Sequence, residues 1–166
     1  MPDFQHQRHK PPTELARPRE LVVACAPLRS NVNLSRIVRA LSCSGVTRLI
    51  ACGNAKVDPK IARDCLDSID VEKHRTLAPA LKKLREDGFQ LVGLEQTTDS
   101  FTLCEFDFQR RTAIVVGNER TGLTPDILAM LDAVVEIPVF GPPHSFNVAT
   151  ATAIAVYEYC RQFPQG

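Results

Sequence analysis

Short apolar runs alternate along this chain with amphipathic segments. The runs are four to six residues long and suit strands buried on both faces, whereas the amphipathic segments have the apolar spacing of helices. Runs lie at 21–26, 48–51, 90–94, 112–116 and 134–137, and a further, weaker strand is possible around 74–76. Helical segments lie at 34–41, 58–66, 80–87, 125–131 and 147–161. The alternation predicts an α/β fold, with a mostly parallel sheet and helices on both faces.

Residues 1–19 do not share this pattern. Four prolines lie there among histidines, lysine and arginines, without periodic apolar positions. This composition predicts a flexible N-terminal arm that precedes a single domain of residues 20–166. A basic arm of this kind can contact a phosphate backbone or serve only as a solubilising terminus, and the sequence leaves both open.

Charge and cysteine content narrow the class of protein. The formal net charge is +1, so any nucleic-acid site has to be a local cluster of arginines and lysines. Six scattered cysteines without a CxxC pair argue against a zinc site and against a disulfide framework. Free thiols favour a reducing compartment, and no apolar run has the length of a membrane span. We expect a cytoplasmic protein that needs no metal and no membrane.

A glycine loop at 117–122 follows the apolar run 112–116. Its GxxxxG spacing matches a phosphate loop, but Leu123 and Thr124 stand where that loop requires lysine and then serine or threonine. An NTPase is therefore rejected, and no GxGxxG follows the first strand to support a dinucleotide fold. A tight turn would explain the glycines but not the carboxylate of Glu119 between them, so we favour a ligand-binding loop.

The segment 144–161 combines polar residues with a helix of small and apolar residues. A nucleophilic Ser145 beside His144 is disfavoured because the chain has no GxSxG elbow. Ser145 or Asn147 is better explained as the cap of the last helix, and Asn33 is predicted to cap helix 34–41. The last helix could face a second subunit or lie in the core of the monomer, and its sequence does not distinguish the two.

Three segments together resemble the motifs of a known family. They are 33–40 (NLSRIVRA), 116–123 (VGNERTGL), and 137–138 (IP) followed by 145–149 (SFNVA). Their order and spacing resemble the SpoU/TrmH family of S-adenosylmethionine-dependent RNA 2'-O-methyltransferases in the SPOUT superfamily, over about residues 20–162. The chain departs from the family pattern at Arg36, Arg120 and Phe146, where the family commonly has a small residue, glycine, and leucine or methionine.

The resemblance implies a parallel α/β sheet with a C-terminal trefoil knot, a homodimer, and S-adenosyl-L-methionine bound in the knot with its adenine held by backbone. The positions that match the family's cofactor loops are Leu94, Glu95, Gly117, Ile137 and Phe146. No metal is implied.

The resemblance also implies the catalytic residues. Arg39 matches the arginine that acts on the ribose hydroxyl, and its companions are Asn33, Glu119, Ser145 and Asn147. Because arginine keeps its proton at any ordinary pH, we expect Arg39 to position a phosphate and stabilise the alkoxide while another group takes the proton. Additional RNA contacts are expected from Arg29, Arg36 and Arg120, with tRNA favoured over rRNA as the substrate. The alternatives are a non-catalytic RNA- or cofactor-binding protein on this fold, and a hydrolase using Ser145.

Overall fold

Seven strands form one parallel sheet in the computed structural model, which describes residues 1, 3–8 and 10–166. In chain order the strands are β1 (Leu21–Cys25), β2 (Arg48–Cys52), β3 (Asp70–His74), β4 (Gln90–Leu94), β5 (Phe101–Thr102), β6 (Thr112–Val116) and β7 (Ala133–Glu136). Their order across the sheet is β3-β2-β1-β6-β4-β7-β5, and each neighbouring pair is parallel. Since the strands all run the same way, their C-terminal ends lie at one edge of the sheet, the carboxyl edge, and their N-terminal ends lie at the opposite amino edge.

Helices cover both faces of the sheet, as predicted. They are α1 (Asn31–Cys43), α2 (Pro59–Ala62), α3 (Leu77–Glu86), α4 (Pro125–Leu128) and α5 (Val148–Gln162). Successive residues of a strand point to opposite faces, so Val23 packs in the cluster that contains residues of α1 and α5. Its neighbour Val22 packs in the second cluster with residues of α3 and α4. The predicted α/β class with a mostly parallel sheet is confirmed.

Some predicted boundaries are wrong. Ser30, not Asn33, caps α1, because its hydroxyl accepts a hydrogen bond from the Asn33 N–H at 3.2 Å. The helix predicted over 58–66 ends at Ala62, since Arg63 takes a φ of +55° and a 3-10 turn (Arg63–Ser68) follows. The third strand lies at 70–74 rather than 74–76, and the two-residue β5 was not predicted.

The described part of residues 1–19 contains no helix or strand. Its end is nevertheless fastened to the domain at the amino edge, where Arg19 Nε donates to the Ser44 carbonyl at 2.7 Å. The Arg17 N–H donates to the Gln165 carbonyl at 3.3 Å. Among the helices of the described residues, none is long and apolar enough to cross a membrane. The division at residue 19 and the trefoil knot stay predictions.

Candidate active site

A cavity of about 520 Å³ opens at the carboxyl edge, between the loops that follow β4, β6 and β7 and the first turn of α5. Ten of the residues predicted from the sequence line it: Asn33, Leu94, Glu95, Gly117, Glu119, Arg120, Ile137, Ser145, Phe146 and Asn147. Three others, Arg29, Arg36 and Arg39, are exposed and are not part of its lining. The fold therefore brings the predicted cofactor residues together with most of the predicted catalytic ones.

Glu119 joins the glycine loop to the start of α1. Its carboxylate accepts hydrogen bonds from the Arg29 N–H at 2.9 Å and the Ser30 N–H at 3.0 Å. It also accepts one from Asn33 Nδ2 at 3.1 Å. Burial acts to raise the pKa of the Glu119 carboxyl, but these hydrogen bonds outweigh burial and hold the pKa below its ordinary value. Glu119 is therefore an anion fixed in place, and a weak proton acceptor.

Asn33 continues this network to α5. Its Oδ1 accepts a hydrogen bond from Asn147 Nδ2 at 3.1 Å, and only 8% of Asn33 is exposed. Asn147 is in turn held as the N-cap of α5, where its Oδ1 accepts from the Ala149 N–H at 3.0 Å. The sequence left open whether Ser145 or Asn147 caps the last helix, and in the structure the cap is Asn147. A continuous line of side chains, Glu119 to Asn33 to Asn147, connects three segments that are far apart in sequence.

Ser145 lies at the cavity and is exposed, as is His144. Within the described part of the chain, no hydrogen bond joins their side chains. A serine nucleophile needs a base held against its hydroxyl, so the geometry gives the hydrolase alternative no support.

The glycine loop is folded tightly on itself. Asn118 and Gly122 pair through two backbone hydrogen bonds of 3.1 and 3.0 Å. A Cβ on Gly117 would lie 2.5 Å from the Gly122 carbonyl carbon, and Gly122 itself has a φ of +64°. Only glycine fits at both positions, so bare backbone faces the cavity at this loop.

Glu95 fastens the glycine loop to the end of β4. One carboxylate oxygen accepts from the Leu123 N–H at 3.0 Å and the other from the Gln96 N–H at 3.1 Å. A Cβ on Gly122 would lie 2.3 Å from that first oxygen. Glu95 was predicted as a cofactor residue, and it lines the cavity, but its carboxylate is engaged in holding two loops together. Nothing in the sequence signals this contact across 28 positions.

The cavity has the chemistry that S-adenosylmethionine requires. Leu94, Ile137 and Phe146 offer apolar surface, and the glycine loop offers backbone for close approach. Glu136, which sequence reasoning missed, adds a carboxylate to the lining, and its Oε2 accepts from the Ser100 hydroxyl at 2.7 Å. Carboxylates complement a ligand that carries a sulfonium and an ammonium group. The residues present therefore fit this cofactor.

Arg36 and Arg39 lie on one exposed stripe of α1 with Val32 and Cys43. Arg39 follows Asn33 by six positions. In a helix this separation places it about 9 Å further along the axis and on a different face. In a single chain the Arg39 side chain is thus outside the cavity that Asn33 lines.

Comparison with known proteins identifies the family. The model of the SpoU rRNA Methylase family matches residues 20–157. The chain belongs to this family. A SpoU-family relative, the tRNA (guanosine(18)-2'-O)-methyltransferase of Aquifex aeolicus, is 33% identical over 150 residues, which cover 88% of this chain and 71% of that protein. The Escherichia coli K12 protein of the same name is 30% identical, and the match covers 86% of this chain but only 64% of that protein.

Solved structures agree with this assignment. The crystal structure of the A. aeolicus TrmH/SpoU tRNA modifying enzyme superposes with a TM-score of 0.84 at 30% identity, covering 90% of this chain and 78% of that chain. The SpoU methyltransferase AviRb of Streptomyces viridochromogenes, in complex with the cofactor AdoMet, superposes with a TM-score of 0.77 at 28% identity, covering 91% and 63%. The resemblance drawn from the three motifs is confirmed.

Glu119→Gln should destabilise this SpoU-family fold in a pH-dependent way. At neutral pH we expect a loss on the order of 1 kcal/mol, because partial exposure reduces the value of the three hydrogen bonds to the carboxylate. The pKa of Glu119 is lowered in the folded state. The contribution of Glu119 to the free energy of unfolding is therefore complete above the pKa of this carboxyl in the unfolded chain. It is lost as the pH falls through the pKa in the folded protein. Urea unfolding of both proteins between pH 7 and pH 3 measures the difference.

The matched control is Glu105→Gln, which removes an exposed carboxylate in no hydrogen bond or ion pair with a described residue. Equal losses of stability in the two variants would contradict the role given to Glu119.

Proposed function

We propose that this chain transfers the methyl group of S-adenosylmethionine to a ribose 2'-hydroxyl of RNA, and that the RNA is a tRNA. The observation that carries the proposal is the hydrogen-bonded line from Glu119 through Asn33 to Asn147 beside a glycine loop of bare backbone. The names of the A. aeolicus and E. coli relatives favour tRNA. The family's description and an rRNA methyltransferase structure from Sinorhizobium meliloti, 26% identical, make rRNA the second candidate.

The residues proposed to hold the cofactor are those of three loops at the carboxyl edge. Backbone at Leu94, Gly117 and Ile137 would bind its polar edges, and Phe146 would pack against it. When bound, S-adenosylmethionine supplies an electrophilic methyl group on a sulfonium sulfur. The chain itself has to orient the 2'-hydroxyl in line with that group and to remove the hydroxyl proton.

Few side chains at the cavity can take a proton. Glu119 is a weak base because three N–H groups already bind its carboxylate. Asn33 and Asn147 have neutral amides, and Arg39 keeps its charge. We therefore assign Asn33, Glu119 and Asn147 to positioning, Ser145 to contact with the acceptor ribose, and Arg39 to binding the phosphate and the developing alkoxide. The proton is passed to a group outside this set.

We also propose that the protein acts as a homodimer. Arg39 lies outside the cavity of its own chain, on an exposed stripe that includes Val32. The helix α1 packs against α5, on which Tyr157 is 73% exposed. A second copy that packs on α1 and α5 would cover Val32 and Tyr157. The cavity of that second copy would then receive Arg39 of the first chain. We further propose that the chain forms the C-terminal trefoil knot and that the protein is cytoplasmic, as expected from the sequence.

Calorimetry with S-adenosylmethionine separates this function from the alternatives. The proposal requires binding of one cofactor per chain, whereas a hydrolase using Ser145 requires none. A non-catalytic protein on this fold would bind the cofactor but leave RNA unmethylated. Absence of binding would therefore remove the proposed activity.

A further inference from the structure

Four exposed cations follow four adjacent strands at the carboxyl edge. Arg75, Lys56, Arg29 and Arg120 come after β3, β2, β1 and β6, which are neighbours in the sheet in that order. Neighbouring strands lie about 4.8 Å apart, so the four loops form a row roughly 14 Å long. Arg120 lines the cavity, and the other three extend away from it toward the border of the sheet at β3.

Hydrogen bonds connect each loop of this row to the next. The Gly53 N–H in the loop after β2 donates to the His74 carbonyl at 3.0 Å. The Lys56 N–H donates to Asn31 Oδ1, at the start of α1, at 2.8 Å. The adjoining Arg29 N–H donates to Glu119 of the glycine loop at 2.9 Å. The backbone that carries the four cations is therefore a connected surface rather than a set of independent loops.

Cations near the amino edge, in contrast, have carboxylate or carbonyl partners within the fold. Arg111 pairs with Glu20 at 2.9 Å, and Arg85 pairs with Asp132 at 2.7 Å. Arg48, the first residue of β2, pairs with a carboxylate of β3, and Arg19 donates to a backbone carbonyl. These side chains hold the fold together, so their charges are largely compensated.

At the carboxyl edge the four cations lack such partners. Among the described residues, none of the four belongs to an ion pair. The nearby carboxylates are occupied by backbone N–H groups: Asp58 accepts from the Lys60 N–H at 2.9 Å, and Glu119 accepts from Arg29 and Ser30. The four exposed cations are thus not held in ion pairs, so their side chains are available to bind an anion at the edge that carries the cavity.

We propose that Arg120, Arg29, Lys56 and Arg75 form a track for the sugar–phosphate backbone of the RNA. The inference rests on the proposed function and extends it to Lys56 and Arg75, which the sequence did not single out. Because the row is roughly 14 Å long, it can contact a few successive phosphates of the strand beside the nucleotide in the cavity. Because the contacts are to phosphate, the track orients the RNA and does not read its bases.

The test compares two double variants with equal loss of charge. Lys56→Gln with Arg75→Gln removes the outer half of the track. Lys82→Gln with Lys83→Gln removes two exposed lysines of α3, away from the carboxyl edge. Each protein is titrated with bulk tRNA between 50 and 200 mM NaCl, a range over which phosphate contacts change affinity strongly. Thermal unfolding and calorimetry with S-adenosylmethionine check that both variants are folded and bind the cofactor as before.

We expect the track variant to bind tRNA roughly tenfold more weakly and its log–log salt slope to become shallower by about two. The α3 variant should stay within about twofold of the unsubstituted protein. The KM for tRNA should rise in the track variant, with kcat unchanged. Equal losses in the two variants would overturn the track and leave bulk charge as the cause, and undiminished binding would overturn it as well.

The track and the proposed function fail in different ways. If the unsubstituted protein methylates tRNA but both double variants bind it normally, the function stands and the track is wrong. If the unsubstituted protein binds S-adenosylmethionine and tRNA but transfers no methyl group, the function is wrong, and the salt titration alone decides the track.

Discussion

Arg39→Ala should abolish methyl transfer while the dissociation constant for S-adenosylmethionine stays within about twofold of its original value. The guanidinium is exposed on α1 and does not line the cavity, so the cofactor loses no contact when it is removed. The transition state, in contrast, loses the cation proposed to stabilise the forming alkoxide, an effect worth roughly 10²–10³ in rate for one such group. Single-turnover methylation of tRNA, with calorimetry in parallel, measures both quantities.

Arg36→Ala is the matched control for this experiment. Arg36 is exposed on the same stripe of α1 and is likewise outside the cavity. We expect it to weaken tRNA binding modestly and to leave the single-turnover rate at saturating tRNA within about threefold. A single-turnover rate in the Arg39 variant within about threefold of the original would end the role assigned to this residue.

The same variant tests whether one chain serves the cavity of another. The Arg39→Ala protein is mixed with a separate Asn147→Ala protein. The second protein keeps Arg39 but lacks the α5 cap and the hydrogen bond to Asn33. In a random mixture of dimers, about a quarter of all sites would have both residues intact if Arg39 acts across the interface. Activity should then return on mixing. If activity does not return, Arg39 acts within its own chain, or it binds RNA without entering the cavity of a partner chain.

Gly117→Ala should reduce the affinity for S-adenosylmethionine by roughly 100-fold, since displacements of about 1 Å are costly at a site of this kind. The added Cβ would lie 2.5 Å from the Gly122 carbonyl carbon and 2.7 Å from the Leu123 nitrogen. Both are backbone atoms, so the loop has to shift as a whole, and Leu123 is the residue whose N–H binds Glu95. We expect a loss of about 1–3 kcal/mol in the free energy of unfolding, typical of overpacking.

Gly141→Ala is the comparison for that change. A Cβ at position 141 meets nothing within 4 Å. Its free energy of unfolding should therefore remain within about 0.5 kcal/mol of the original, and its cofactor affinity should be unchanged. If Gly117→Ala behaves like Gly141→Ala in calorimetry, the glycine loop does not form the cofactor site.

Much of the sheet could be predicted because burial on both faces leaves a plain signal in sequence. Every residue of β1 and β6 is buried, and both appear as apolar runs apart from Thr112 at the start of β6. The two-residue β5 and the half-exposed β3 carry no such signal. The order of strands also depends on tertiary packing, which the periodicity of single segments does not contain.

The site was predictable as a set of residues but not as a geometry. Periodicity favoured Asn33 as a helix cap, whereas Ser30 takes that position and leaves the Asn33 amide to bridge Glu119 and Asn147. The resemblance placed Arg39 with these residues, yet α1 turns it to a different face. Glu95, which was expected to bind a ligand, also binds the backbone of the glycine loop. Each difference arises from contacts between residues distant in sequence.

The most direct test of the account is transfer of a labelled methyl group. The protein is incubated with bulk tRNA, or separately with rRNA, and S-adenosylmethionine that carries a trideuterated methyl group. The RNA is then digested to nucleosides for mass spectrometry. The account predicts the label on the ribose of one nucleoside of tRNA, in a linkage that resists alkali, with less or none on rRNA. Label confined to the bases, or no label on RNA from a protein that binds S-adenosylmethionine, would contradict it.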